Sequence, residues 1–85
     1  MNIQIESIEK QIREYIAHNL LFSGESFPYP DDASLLDEGI IDSLGIMELV
    51  EFAQQAFAIR IDQNEVIPEN FDSVRKMALF VQSKL

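Results

Sequence analysis

Three stretches of the chain repeat apolar residues at spacings of three and four, the period of a helix with one buried face. Ile5, Ile8, Ile12, Tyr15 and Ile16 mark the first, over about residues 2–19. Ile46, Leu49, Val50, Ala53 and Phe57, with Phe52 at the edge, mark the second, over about 43–57. Val74, Met77, Ala78 and Val81 mark the third, over about 73–84. There is no cysteine among the 85 residues, so neither a disulfide nor a thiolate-bound metal can staple so short a chain, and the three faces must close on one another. The expectation is an all-α fold in a single domain, residues 1–85: a small four-helix bundle of three main helices and one short one.

The connections are less regular. A long loop, about residues 21–41, joins the first two main helices, and Pro28 and Pro30 exclude a helix at its centre. A loop of that length in a small domain needs apolar pins, and Phe22, Phe27, Leu35, Leu36 and Ile40 are the candidates. Ala58–Ile61 reads as a short extended exit from the second helix. Asp62 then caps a short helix, about 62–67, broken near Pro68, and Asp72 or Ser73 caps the last helix. On the outer face of the first helix, Glu6–Lys10 and Glu9–Arg13 fall at the favourable i,i+4 order.

Charge narrows the function. The net charge is −9, and residues 31–72 hold eleven of the fifteen acids against one base, Arg60. Such a field repels nucleic acid and anionic lipid and steers basic protein surfaces toward the acidic side. No apolar run approaches the roughly 18 residues of a membrane span, and no signal peptide is visible. A cytoplasmic location follows as the default.

The acids surround Asp42-Ser43-Leu44, where the loop Leu35–Ile41 turns into the second helix. A catalytic site is not expected there. The single histidine, His18, has no serine or cysteine near it in sequence, and Ser43 lacks the Gly-x-Ser-x-Gly elbow of a hydrolase nucleophile. No metal pattern is present: the acidic loop does not alternate as a calcium loop does, and there is no His/Cys cluster. Taken alone, Ser43 reads as a helix N-cap. Gly45 in the first turn leaves room for something to approach that serine. Leu44 and Met47 read equally as core or as an exposed apolar centre.

The stretch Leu36-Asp37-Glu38-Gly39-Ile40-Ile41-Asp42-Ser43-Leu44-Gly45-Ile46-Met47-Glu48-Leu49-Val50 resembles the segment of the acyl carrier proteins, and of their peptidyl and aminoacyl relatives, in which an acidic loop ends in Asp-Ser-Leu. Phe57–Ile61 and Ile67–Val74 are similar to the family's second-helix exit and to the lead into its final helix. The resemblance implies a non-catalytic carrier in an acyl-carrier-like bundle. Ser43 would carry 4'-phosphopantetheine donated by coenzyme A, with Asp42 as the acidic neighbour of the modified serine. Leu44, Met47, Glu48 and Glu51, with Asp37 and Glu38, would face partner enzymes. Those partners would be a phosphopantetheinyl transferase, a ligase or adenylating enzyme that loads an acyl or aminoacyl group, and a downstream synthase, transferase or thioesterase. The setting would be fatty acid, polyketide or nonribosomal-peptide-type biosynthesis.

Departures from the family pattern, Gly39-Ile40-Ile41-Asp42 in place of a Gly-Gly pair and few acids after Glu51, suggest a freestanding carrier in a specialised pathway. With the core faces assigned, no apolar stripe remains on the surface, so a monomer is expected. The competing readings are an unmodified acidic helical adaptor, in which Ser43 is only a cap, and a small hydrolase.

Overall fold

The computed structural model describes residues 4–22 and 27–85. Residues 2 and 3 of the expected first helix, and Ser23–Ser26 of the loop, lie outside the described residues. Among those described, all regular structure is helical: α1 (Ile5–Tyr15), continued by a π turn (Ile16–Leu20), α2 (Ser43–Phe57), a 3₁₀ turn (Gln63–Glu65), α3 (Pro68–Phe71) and α4 (Val74–Lys84).

The core is the meeting of the apolar stripes. Ile8, Ile12 and Ile16 of the first, Ile46, Leu49, Val50, Ala53 and Phe57 of the second, and Val74, Met77, Ala78 and Val81 of the fourth are buried in one cluster. α1 and α4 pack against each other. α2 joins them through side chains, with the Tyr15 ring stacked on Phe52 at 4.2 Å. The π turn widens the end of α1, where the Leu21 amide donates to the Ile16 carbonyl at 2.9 Å.

The outer face of α1 differs from the i,i+4 expectation. Glu9 is buried, and its carboxylate accepts from Arg75 Nε of α4 at 2.8 Å. Arg13 instead forks onto both oxygens of Asp31 in the long connection, at 2.8 and 2.9 Å. Each member of the expected local pair thus finds its partner on another element, where the fold brings an opposite charge within hydrogen-bond distance. Glu9 and Asp31, which Arg75 also approaches at 3.9 Å, favour the charged Arg75, and its pKa is raised.

Only part of the expected set pins the connection. Phe27, Leu35 and Ile40 are buried, and so is Ile41, whereas Phe22 and Leu36 are exposed. Backbone geometry explains the selection at Leu36. The Ile40 amide donates to Leu35 O at 2.9 Å and the Gly39 amide to Leu36 O at 3.1 Å, the paired bonds of a Schellman closure with Gly39 at φ 68°. That closure brings Leu35 and Ile40 together on the inside and leaves Leu36 outside.

The segment after α2 also departs from expectation. The Asp62 turn is a capped 3₁₀ turn only three residues long, in which the Asp62 side chain and Glu65 satisfy each other's backbone amides. Pro68 does not end a helix; it begins α3 as the first residue, where a missing amide proton costs nothing. Ser73 caps α4, accepting from Lys76 N at 3.0 Å. That leaves the Asp72 carboxylate free for the loop, where it accepts from Ser34 Oγ at 2.6 Å and from the Leu36 amide at 3.0 Å.

Lys84, in the last turn of α4, holds Glu65 at 2.7 Å, and with the Asp62 amide it keeps that carboxyl below the ordinary glutamate pKa. Folding therefore favours the charged form, and this contribution is complete above the unfolded value of about 4.3. Comparing the parent with Glu65→Gln by urea denaturation across pH should show a stability difference at neutral pH. The difference should shrink as pH falls below about 4.3 and through the lowered folded value.

Candidate functional site

Asp42 and Ser43 divide two tasks that the sequence left joined. Asp42, in extended backbone, is the N-cap of α2, and its carboxylate accepts from the Gly45 amide at 2.9 Å. Ser43 is the first helical residue. Its side chain is exposed, and its hydroxyl has no hydrogen-bond partner among the described residues. The Ser43 hydroxyl therefore does not serve as a cap.

The backbone around it favours an anion. The first intrahelical bond of α2 runs from the Ile46 amide to Asp42 O at 3.1 Å, and the Ser43 and Leu44 amides make no bond among the described residues. Two unspent donors at the start of a 15-residue helix meet negative charge favourably, helped by the helix dipole. An ester-linked phosphate on Ser43 Oγ would find that environment, with open space around it. These residues fit a phosphopantetheine group.

Gly45 has a packing role besides the one expected. A side chain there would bring its Cβ to 3.0 Å from Ile41 Cβ. The direction a side chain would take is filled by Ile41, which closes the core under the first turn of α2, while the glycine itself lines the larger of the hollows beside Ser43.

Access is from two hollows that share Ser43 and Leu36 as walls. The larger, about 640 Å³ and open, lies between the end of α1 and the first turn of α2 and includes Leu20, Phe22, Asp42 and Leu44. The smaller, about 200 Å³, is lined mainly by apolar side chains from α2 and from Val66–Phe71, including Ile46, Met47 and Ile67. Leu44 is 74% exposed and Met47 53% exposed, so both stand outside the core. Asp37, Glu38, Asp42, Glu48 and Glu51 are exposed as well, and no Lys or Arg lines either hollow.

Apolar surface is thus left over, contrary to the expectation from the core faces. Leu36, Leu44, Met47 and Ile67 all stand exposed on the walls of these hollows. Leu36 was expected to pin the loop and Ile67 carried no expectation, because each sits in a connection where no period separates inside from outside. His18, exposed on the π turn, lines neither hollow. Among the described residues no group of three or more His, Asp or Glu is placed to hold a metal ion, and no helix is long and apolar enough to cross a membrane.

With this geometry in place, comparison with known proteins is specific. Residues 10–81 match the family model described as the phosphopantetheine attachment site. The chain is 32% identical over 75 residues to a probable acyl carrier protein, PigG, of Serratia sp., across 88% of this chain and 85% of the relative. It is also 32% identical over 54 residues to a D-alanyl carrier protein of Abiotrophia defectiva, across 64% of this chain and 68% of the relative.

The division between cap and exposed hydroxyl has a direct consequence for stability. Asp42→Ala should lose about 1 kcal/mol through the missing cap. Ser43→Ala should stay within about 0.5 kcal/mol of the parent, as at an ordinary surface position. Urea denaturation of the two variants checks the order.

Proposed function

The chain belongs to the phosphopantetheine-attachment family of carrier proteins, and from that premise we propose that Ser43 is its attachment residue and that residues 1–85 act as one acyl or aminoacyl carrier domain. A member of this family carries 4'-phosphopantetheine covalently and is not itself an enzyme. One observation carries the assignment of Ser43. Its hydroxyl is exposed and without a hydrogen-bond partner among the described residues at the first position of α2, while its neighbour Asp42 does the capping that a serine there could have done.

When bound, the group supplies a terminal thiol that holds the cargo as a thioester, chemistry that a chain without cysteine cannot provide itself. The chain's own residues present and hold. The Ser43 and Leu44 amides, which make no bond among the described residues, would meet the charge of the phosphate. Asp42 fixes the helix start by binding the Gly45 amide, so Ser43 stays at a rigid end. Leu44 and Met47 form an apolar centre, and Asp37, Glu38, Glu48 and Glu51 a charged rim. That combination suits fast, reversible docking to several basic partners. A thioether at the centre adapts to more than one of them.

Those partners are a phosphopantetheinyl transferase, a loading ligase or adenylating enzyme, and a downstream synthase, transferase or thioesterase. The relatives' names, one an acyl and one a D-alanyl carrier, accord with either cargo type. The small hollow, with its apolar lining of Ile46, Met47 and Phe71, favours a compact cargo that can shelter against α2.

Intact mass spectrometry after incubation with coenzyme A and a broad-specificity phosphopantetheinyl transferase tests the assignment. The parent should gain one phosphopantetheinyl group, and Ser43→Ala, still folded, should gain none. A folded parent that gains nothing, or a Ser43→Ala variant that is loaded as well, overturns it.

A further inference from the structure

The larger hollow beside Ser43 is closed on its far side by the end of α1, where the chain carries a side chain that the fold does not require. α1 passes through its π turn, and Phe22 follows in left-handed backbone at φ 52°, with the residue 84% exposed. A left-handed residue is an ordinary way to stop a helix, but glycine or asparagine usually takes the position, and a bulky side chain strains it. The chain provides its own comparison. α2 also ends on a positive φ, 54°, with the small side chain of Ala58. Phe22 is barely buried, so the core gains little from its ring. Neither helix termination nor packing calls for a phenyl group there.

The ring lines the same open hollow as Ser43. Leu20, Phe22, Leu36 and Leu44 give that hollow an apolar interior, and Asp42 and Glu48 are its charged members. An open hollow of this kind would leave a small molecule largely wet, since small-molecule sites bury most of their ligand. It suits a protruding side chain from another protein. An apolar interior with carboxylates and no cation among its lining is complementary to an apolar projection flanked by lysines or arginines. Exposed aromatics are the residues most able to anchor such a contact.

We propose that this hollow is a docking surface for the transferase that modifies Ser43, with Phe22 as its outer anchor against an apolar side chain on a basic face of that enzyme. The proposal rests on Ser43 being the attachment residue. It extends the docking surface across the hollow to the end of α1, beyond the α2 face that the sequence identifies.

Phe22→Asn separates the ring from the backbone, because asparagine tolerates the left-handed region without strain. The rate of phosphopantetheine transfer would be followed by intact mass against carrier concentration, with coenzyme A and a broad-specificity transferase. Phe22→Asn should melt at or above the parent's temperature while the KM for the carrier rises about tenfold, as for loss of an anchoring aromatic. Its kcat should be little changed, and Phe22→Tyr should restore the KM. Ala58→Gly, which relieves the positive φ at the other helix end, should melt higher with an unchanged KM. The parent's KM should also rise with salt.

An unchanged KM in Phe22→Asn overturns the proposal. So does a marked fall in its melting temperature, which would make the ring part of the fold, and so does a KM indifferent to salt. If the parent is not loaded at all, or Ser43→Ala is loaded, the assignment of Ser43 fails first and the docking surface falls with it.

Discussion

The grip of Asp72 on the long connection is the interaction on which the placement of Ser43 depends. A connection of some twenty residues has many ways to run, and ordering each residue costs about 1–2 kcal/mol of backbone entropy. Here the start of α4 limits those ways. The Asp72 carbonyl accepts the Leu35 amide at 2.9 Å, while its carboxylate takes the Leu36 amide and the Ser34 hydroxyl. One turn earlier, the Arg75 amide donates to the Asp31 carbonyl at 2.8 Å, and Arg13 holds the Asp31 side chain. With Leu35 buried between these anchors, the chain must approach α2 from one direction. The glycine closure at Gly39 then sends Ile40 and Ile41 inward and leaves Asp42 at the surface, where α2 begins.

At Ser43, the proposed attachment point, a carrier has to meet two conflicting demands. The hydroxyl must be free, and the backbone beneath it must not be. An N-capping serine would satisfy the second at the expense of the first, since its oxygen would be committed to the helix. Giving the cap to Asp42 resolves the conflict by one residue of register. Below that point, Ile41 lies against Gly45, and a Cβ would have to displace the branched Cβ of Ile41 rather than a flexible tip. The glycine's cost to helix propensity, about 1 kcal/mol, is offset by a first turn that packs close over the core. Rigidity under Ser43 comes from that contact and from the cap, and freedom comes from the serine's own position.

How much of this the sequence discloses follows from how far each determinant reaches. The stripes of α1, α2 and α4 were legible, because a helix repeats its buried face every three or four residues and needs no knowledge of its neighbours. Asp42-Ser43-Leu44 was legible as a helix start in an acidic setting, but which of Asp42 and Ser43 caps was not, since both are good caps. Glu9 was misassigned to the outer face for a different reason: its partner Arg75 is 66 residues away, and no local pattern points to so distant a pair. Phe22 and Leu36 looked like pins because apolar residues in a loop usually are. Whether such a residue turns in or out depends on single backbone torsions, left-handed at Phe22 and at Gly39. Pro68 was read as a helix breaker, although at the first position of a helix the same ring is an initiator.

The apolar residues left outside explain the distribution of charge. Leu36, Leu44, Met47 and Ile67 surround Ser43 and remain uncovered in the folded chain, and contiguous exposed apolar surface tends to drive association. Under the proposed docking role, burying them would remove the surface a partner contacts; leaving them bare without charge around them would favour self-association. Carboxylates around the patch separate the two outcomes by sign. Two copies brought face to face would set Asp37, Glu38, Asp42 and Glu48 against the same carboxylates on the other copy, and like charges in close apposition oppose that contact. A basic partner meets attraction at the same rim. Under the proposed docking role, the acidity concentrated in residues 31–72 lets the apolar centre stay exposed while opposing contact between two copies of the chain through that face.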